Sequence, residues 1–411
     1  GADTSSSGED ASLRVVGRGT WQFEALAYLQ ARNFTNVVIS AATLRRSLDQ
    51  YATPSTGWGA QLELRPPLSA DHLLRLGIDW RSAAGTAYEA AYNAGTGVVT
   101  ARRTIGGRNE DLGIYAGEGW QLGRLALTGA LRADRWSLRS GRFREANPAG
   151  TVTTASDFPD RSGWAWSFRV GTSLTLAYAL TLRASAYSSI RHPTLNELYR
   201  PFVVFPVTTR ANAALDNERL VGFEAGVDFT PAPGATFALT AFDNRVRHAI
   251  ANVTLTPTLR ERRNVDAIRG RGIEMSASLR HGALALEGSL AWTEARVEAS
   301  GASAQLNGKR PAQTPALSAR STLSWRPSRG STLALTVRHV GAQFEDDLEI
   351  DRLPPSTTFD AYAELAVRTG VALVLRGENL ADRPAITRNQ AGSLDLGAPR
   401  TLWAGVKVQL P

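Results

Sequence analysis

Apolar and polar side chains alternate with a period of two along most of this chain. In Gly123–Trp136, Leu125, Leu127 and Leu131 fall on one side, and Arg124, Thr128, Arg132 and Asp134 on the other. In Gly282–Thr293, Leu284, Leu286, Leu290 and Trp292 oppose Glu287, Ser289 and Thr293. The same split puts Val221, Phe223, Val227 and Phe229 against Glu218, Glu224 and Asp228. It recurs in Leu333, Leu335 and Val337 against Thr336 and Arg338, and in Leu402, Val406 and Val408 against Lys407 and Gln409. A helix would scatter these sets around its axis, whereas a strand keeps each on one face. Seventeen strands are predicted, over 10–16, 19–36, 57–65, 71–82, 111–120, 123–137, 163–175, 178–190, 218–230, 235–248, 265–280, 283–298, 312–326, 331–344, 356–368, 371–380 and 400–410.

The connections sort into two kinds. Gly and Pro mark tight turns at Pro66-Pro67, Leu122-Gly123, Pro233-Gly234, His281-Gly282, Arg329-Gly330 and Thr369-Gly370, where special dihedrals are needed. Long polar segments alternate with them, at 83–109, 138–162, 191–217, 299–311, 345–355 and 381–399. Short turns at one end and long loops at the other describe an all-β, transmembrane antiparallel β-barrel with periplasmic turns and extracellular loops. Trp21, Trp58, Trp120, Trp136, Trp292 and Trp325 lie near expected strand ends, as an interfacial girdle requires. An odd count puts the first residues, Gly1–Asp10, on the long-loop side.

Composition removes several alternatives. The 411 residues contain no Cys, which excludes disulfide frameworks, zinc–thiolate sites and Cys nucleophiles. No apolar run approaches the roughly 18 residues of a membrane helix. The net charge is +8, and every basic residue except Lys309 and Lys407 is Arg. These cations are dispersed among acids and form no single stripe, so nucleic acid is not an expected partner. Guanidinium does suit anionic lipid headgroups and ligands, which it grips in a fork.

Several motifs carry a family resemblance. Ser189–Tyr199 (S-I-R-H-P-T-L-N-E-L-Y) resembles the R-x-P-x-x-x-E-L-Y passage of TonB-dependent outer-membrane receptors. Asn212–Glu218 followed by Phe223-Glu224-Ala225-Gly226 is similar to the passage that comes next in that family, with Asn217 where Pro is usual. Asn264-Val265 before Gly270-Arg271-Gly272-Ile273-Glu274, the run Asn307–Pro315, Arg376–Asp382 and Gly397–Thr401 extend the resemblance in order. The resemblance implies the C-terminal portion of a 22-stranded barrel spanning 1–411, with the plug domain, TonB box and about five strands outside this chain. The final Leu410-Pro411 stands where the family usually ends in an aromatic residue.

By the same resemblance, the function is uptake of a scarce ligand, a ferric siderophore or cobalamin-like chelate. The partners are outer-membrane lipid and lipopolysaccharide, that small-molecule chelate, and the TonB complex reached through a plug. A monomer without a resident cofactor is expected. Candidate ligand contacts are Phe202, Phe205 and Arg210 in the 191–217 loop, Arg262 and Arg263 in the next, and Phe344. Aromatic and guanidinium groups together suit a flat anionic chelate. Three other readings stay open. A passive porin shares the architecture. An outer-membrane barrel enzyme would need a nucleophile, and Ser189 with His192 is a close Ser/His pair. The acidic run Glu345–Asp351 meets the oxygen preference of Ca²⁺ but lacks the spacing of a calcium loop.

Overall fold

The structure, a computed structural model, describes residues 3–40, 43–177, 179–204, 206–390 and 393–409. Phe205, Leu410 and Pro411 lie outside the described residues. Among the described residues, seventeen strands form one wall, to which the short strands Arg46–Ala52 and Val152–Asp157 are added. The seventeen are β1 (Asp3–Arg18), β2 (Gln22–Ile39), β3 (Pro54–Arg65), β4 (His72–Tyr92), β5 (Val99–Leu122), β6 (Leu125–Ala146), β7 (Arg161–Ala177), β8 (Leu180–Arg191), β9 (Glu218–Ala232), β10 (Ala235–Arg247), β11 (Ala267–His281), β12 (Leu284–Glu298), β13 (Leu317–Trp325), β14 (Thr332–Val340), β15 (Ser356–Arg368), β16 (Val371–Glu378) and β17 (Thr401–Val408). Each pairs antiparallel with its neighbour in sequence. Asp3 sits at the long-loop end and Val408 at the short-turn end.

The period of two fixes which side each residue faces. Leu62, Ile78, Ile114, Ala133 and Trp166 are register partners on five consecutive strands, β3 to β7, and form one outward row. Outward residues are large, apolar and uncovered: Leu131 and Trp166 are each 65% exposed and Phe223 is 58% exposed. A surface of this size is unfavourable in water and favourable against acyl chains. Few large apolar side chains are buried, and those that are gather at the long-loop end. The wall thus has no conventional core; its apolar face turns outward.

The opposite face is polar and tightly bonded. Arg132 donates to Asp134 Oδ1 at 2.8 Å and to Asp79 Oδ2 at 2.6 Å. Tyr115 donates to Glu63 Oε2 at 2.9 Å. Glycines make room for these groups. A Cβ on Gly77 would stand 2.0 Å from the Tyr115 ring, and one on Gly113 would stand 1.8 Å from the Arg132 guanidinium. Gly222 serves Tyr187 in the same way, and Tyr187 donates to Glu224 Oε1 at 2.7 Å. Large side chains lying over cross-strand glycines fix register while covering the exposed backbone.

Several sequence expectations are corrected. The sequence predicts loops over 83–109 and 138–162. Instead β4 runs to Tyr92 and β5 starts at Val99, leaving a turn at 93–98, while β6 reaches Ala146 and Val152–Asp157 adds a short strand to it. Above the bilayer both faces meet water or protein, so the apolar alternation fades while the backbone ladder continues. β5, at 24 residues, is about 80 Å long by strand rise, well beyond membrane thickness. Similarly, β13 begins at Leu317, after both Pro311 and Pro315, and not at 312. The girdle holds for outward Trp58, Trp120, Trp292 and Trp325, but Trp136 faces inward and packs on His192 at 5.5 Å.

Candidate functional site

The long-loop end is a built structure. Segment 192–217 turns inward and forms the short helix α1 (Leu195–Tyr199). Thr194 caps it: its Oγ1 accepts from Glu197 N at 3.2 Å, and Glu197 Oε2 accepts from Thr194 N at 2.7 Å. Burial opposes the Glu197 charge, but its bonds to Arg191 and Thr194 prevail and hold the carboxyl below its ordinary pKa. The helix lies on the inner wall at two glycines, since a Cβ on Gly107 or Gly141 would strike Leu195 or Tyr199. Leu198, Tyr199, Ile105, Leu138 and Leu215 close an apolar cluster there.

After α1 the chain enters a second sheet. Phe202–Val204 pairs with Val207–Arg210, which runs parallel to Leu259–Asn264, which pairs in turn with Ile250–Thr256. Asparagines tie the two loops together. Asn264 Nδ2 donates to the Asp216 and His248 carbonyls at 3.2 and 2.6 Å, and Asn212 Nδ2 donates to the Arg262 carbonyl at 3.0 Å. Val253, fully buried, joins Ala249, Val265, Val297 and Leu306 in a second cluster beneath this sheet. The motif residues thus act as latches of a scaffold.

Ion pairs pin the loop to the wall. Arg200 reaches Glu89 on β4 at 2.5 Å and Gln50 Oε1 at 3.3 Å. His192 Nε2 lies 2.8 Å from Asp111 Oδ1 on β5, and Nδ1 lies 3.0 Å from Asn217 Oδ1. Burial, the largest influence on His192, disfavours the charged ring. The hydrogen bonds to Asp111 and Asn217 and the charges of Asp111 and Asp134 outweigh it, so the imidazole stands above its ordinary pKa. Both ring nitrogens thus engage partners other than Ser189.

The sequence-derived candidates are distributed over this end. Phe202 and Arg262 meet, with the guanidinium 5.1 Å from the ring centroid. Arg262 also donates to the carbonyls of Asn196 and, at 2.9 Å, Arg200, where α1 ends. Burial holds its pKa below the ordinary arginine value. Arg263 pairs with Glu261 at 2.5 Å, and Arg210, beside Glu261 in register, is exposed. Phe344 stands on a neighbouring loop, in a two-residue ladder with Arg352–Leu353. The acidic run holds its own loop: buried Asp346 accepts from the amides of Leu348, Ile350 and Asp351. Asp347 accepts from Thr254, at 2.7 Å from its amide, and Glu349 accepts from the Arg310 amide at 2.9 Å. Among the described residues no cluster of three or more His, Asp or Glu side chains is placed to hold a metal.

Sequence reasoning missed α1, the Arg200–Glu89 pair and the His192 contacts. The Thr194-x-x-Glu197 capping signature was present and could have found the helix.

Comparison with known proteins follows the same lines. Residues 3–380 match the family described as TonB dependent receptor-like, beta-barrel. No curated protein matches in sequence. Among solved structures, the ferric yersiniabactin uptake receptor FyuA of Yersinia pestis superposes with a TM-score of 0.78 at 14% identity, over 99% of this chain and 61% of that one. The copper transporter OprC gives 0.79 at 18% identity, over 99% and 66%. The siderophore receptor PiuA of Acinetobacter baumannii gives 0.74 at 14% identity, over 98% and 64%. The chain therefore spans about two thirds of the length of these structures or slightly less.

Proposed function

Because the chain belongs to the TonB-dependent receptor β-barrel family of the outer membrane, we propose that it is the ligand-capturing barrel of an energised importer. Its ligand is a metal chelate, a ferric siderophore or a cobalamin-like compound, bound at the long-loop end. Energy reaches the ligand through a plug domain contacted by TonB. The observation that carries this reading is the preorganised loop face: α1 and the four-stranded loop sheet, held over the inner wall by Arg200–Glu89 and His192–Asp111. A passive pore needs no such face, whereas a capture surface gains affinity from being ordered beforehand.

Phe202, Phe205, Arg210, Arg262, Arg263 and Phe344 are proposed to contact the ligand, with aromatic rings stacking on it and guanidiniums bonding its anionic groups. Arg262 would act partly by holding α1. The experiment is equilibrium binding of ferric catecholate, ferric hydroxamate, ferric citrate and cyanocobalamin to the detergent-solubilised protein. One of these is expected to bind, and Arg210→Ala or Phe344→Ala to weaken it about tenfold. Absence of binding by the whole panel, or variants indistinguishable from the parent, would refute the reading.

A further inference from the structure

The inner face of β8–β14 is hollowed at a place the loop end does not reach. One inward row runs Arg183, Gly226, Thr240, Glu274, Ala291 and Ser318, each the register partner of the next on β8 to β13. The next row towards the short turns runs Asp228, Ala238, Ser276, Ser289, Arg320 and Arg338 on β9 to β14. Parity sets both rows on the face opposite Leu239, Ile273 and Leu290.

Short side chains make the hollow: Ala238, Ser276, Ser289, Ala291 and Ser318 floor a cavity of about 450 Å³. Its two ends are cationic. At one end the Arg183 guanidinium lies over Gly226, where a Cβ would stand 2.8 Å from Cζ. It donates to Asp228 at 3.2 Å and to Thr240 Oγ1 at 2.5 Å. At the other end Arg320 and Arg338 are direct cross-strand neighbours, an arrangement that repels unless an anion joins them. Arg338 has Asp360, at 3.2 Å. Arg320 is exposed, and its side chain has no ion pair or hydrogen bond among the described residues.

Glu274, between the two ends, is likewise exposed and unpaired among the described residues. Two strands separate it from Arg320, about 10 Å by strand spacing, and the two side chains do not bond. With Arg183 balanced by Asp228 and Arg338 by Asp360, the cavity calls for one negative charge at Arg320. It calls for hydrogen-bond donors at Glu274, and the serine hydroxyls between them can donate or accept. No Phe, Tyr or Trp is among the described residues that line it, so it offers no stacking surface to a flat aromatic chelate.

We propose that this cavity binds a polyhydroxylated monocarboxylate, an open-chain sugar acid. Arg320 and Arg338 fork the carboxylate, and Ser276, Ser289 and Glu274 take the hydroxyls. The Glu274 carboxylate on the same floor disfavours a dianion. Arg320 lies five residues from the short-turn end of β13, about 12 Å along the membrane normal at a tilt of about 45°. The cavity is therefore midway down the wall, below α1 and the loop sheet. It rests on the inward parity of the wall alone and is independent of the ligand captured at the loop end.

Isothermal titration calorimetry of the detergent-solubilised protein tests the site with D-gluconate, sorbitol, hexanoate and D-glucarate. Gluconate is expected to bind at least about tenfold more tightly than each of the others. Sorbitol lacks the charge, hexanoate lacks the hydroxyls, and glucarate brings a second carboxylate. Arg320→Gln should weaken gluconate about tenfold, and Arg320→Lys less, because the charge remains and the fork is gone. Ser289→Leu fills the floor without touching a charge and should abolish binding, while Arg326→Gln at the short-turn end should change nothing. Glu274→Gln should narrow the gap between gluconate and glucarate. Gluconate binding no more tightly than sorbitol or hexanoate, or glucarate binding tightest, would overturn the proposal. Gluconate binding unaltered by both Arg320→Gln and Ser289→Leu would overturn it as well.

Discussion

Arg200, at the C-terminal cap of α1, and Glu89, on the inner face of β4, form an ion pair across 111 residues of sequence, with the Glu89 side chain 1% exposed. The pair joins the inward-folded loop to the wall. Removing one partner leaves the other buried and uncompensated, which costs about 3–5 kcal/mol. Arg200→Ala should therefore destabilise the loop end by about that amount, and adding Glu89→Gln should recover part of it. Hydrogen exchange of residues 192–217 measures both; unchanged protection in the single variant would contradict the assignment.

His192 gives the loop a pH dependence. Its pKa stands above the ordinary imidazole value in the folded protein. The ring therefore adds stability that is fully present below about pH 6.5 and is lost as pH rises through the folded pKa. Exchange in 192–217, corrected for intrinsic rates, should be slower at acidic pH than at alkaline pH. His192→Gln should abolish the difference while keeping a hydrogen bond to Asp111.

Glycine at 77 is required by Tyr115. Gly77→Ala forces the ring aside and should destabilise the wall by about 1–3 kcal/mol in chemical unfolding. The double change Gly77→Ala/Tyr115→Ala should cost less than the sum of the two single changes, because the clash disappears with the ring.

How much of this was legible beforehand follows from where water and lipid lie. Within the bilayer, Leu125, Leu127 and Leu131 against Arg132 and Asp134 announce a strand and its orientation, because the two faces meet different media. Above the bilayer that contrast vanishes, so the sequence reads Tyr88–Tyr92 and Val99–Arg108 as loop although their ladder continues, with one bulge opposite Ala91–Tyr92. Trp136 reads as a girdle residue from its type and its place near a strand end, whereas its parity is inward and its partner His192 lies 56 residues away in sequence. Arg200–Glu89 had no local signal at all. Of the candidate ligand residues, Phe202 and Arg262 were chosen as types and proved to be neighbours, a relation only the loop sheet creates.

The two faces of one strand should tolerate charge differently. Leu131 lies six residues from the short-turn end of β6, about 14 Å into the membrane at a tilt of about 45°. Leu131→Arg should cost about 2–4 kcal/mol in lipid vesicles. Thr128→Arg points inward beside Gly119 and Gly171 and should cost less than about 1 kcal/mol.

Alternation of lipid-facing and interior-facing rows is what every other statement depends on. Because the chain has no Cys, single cysteines can be placed at each position from 125 to 133 of β6, spin-labelled, and read in vesicles for collision with oxygen and with a polar nickel chelate. Oxygen accessibility should peak at 125, 127, 129, 131 and 133 and nickel accessibility at the positions between. Peaks in the opposite phase, or no period of two, would contradict a wall whose leucines face the bilayer.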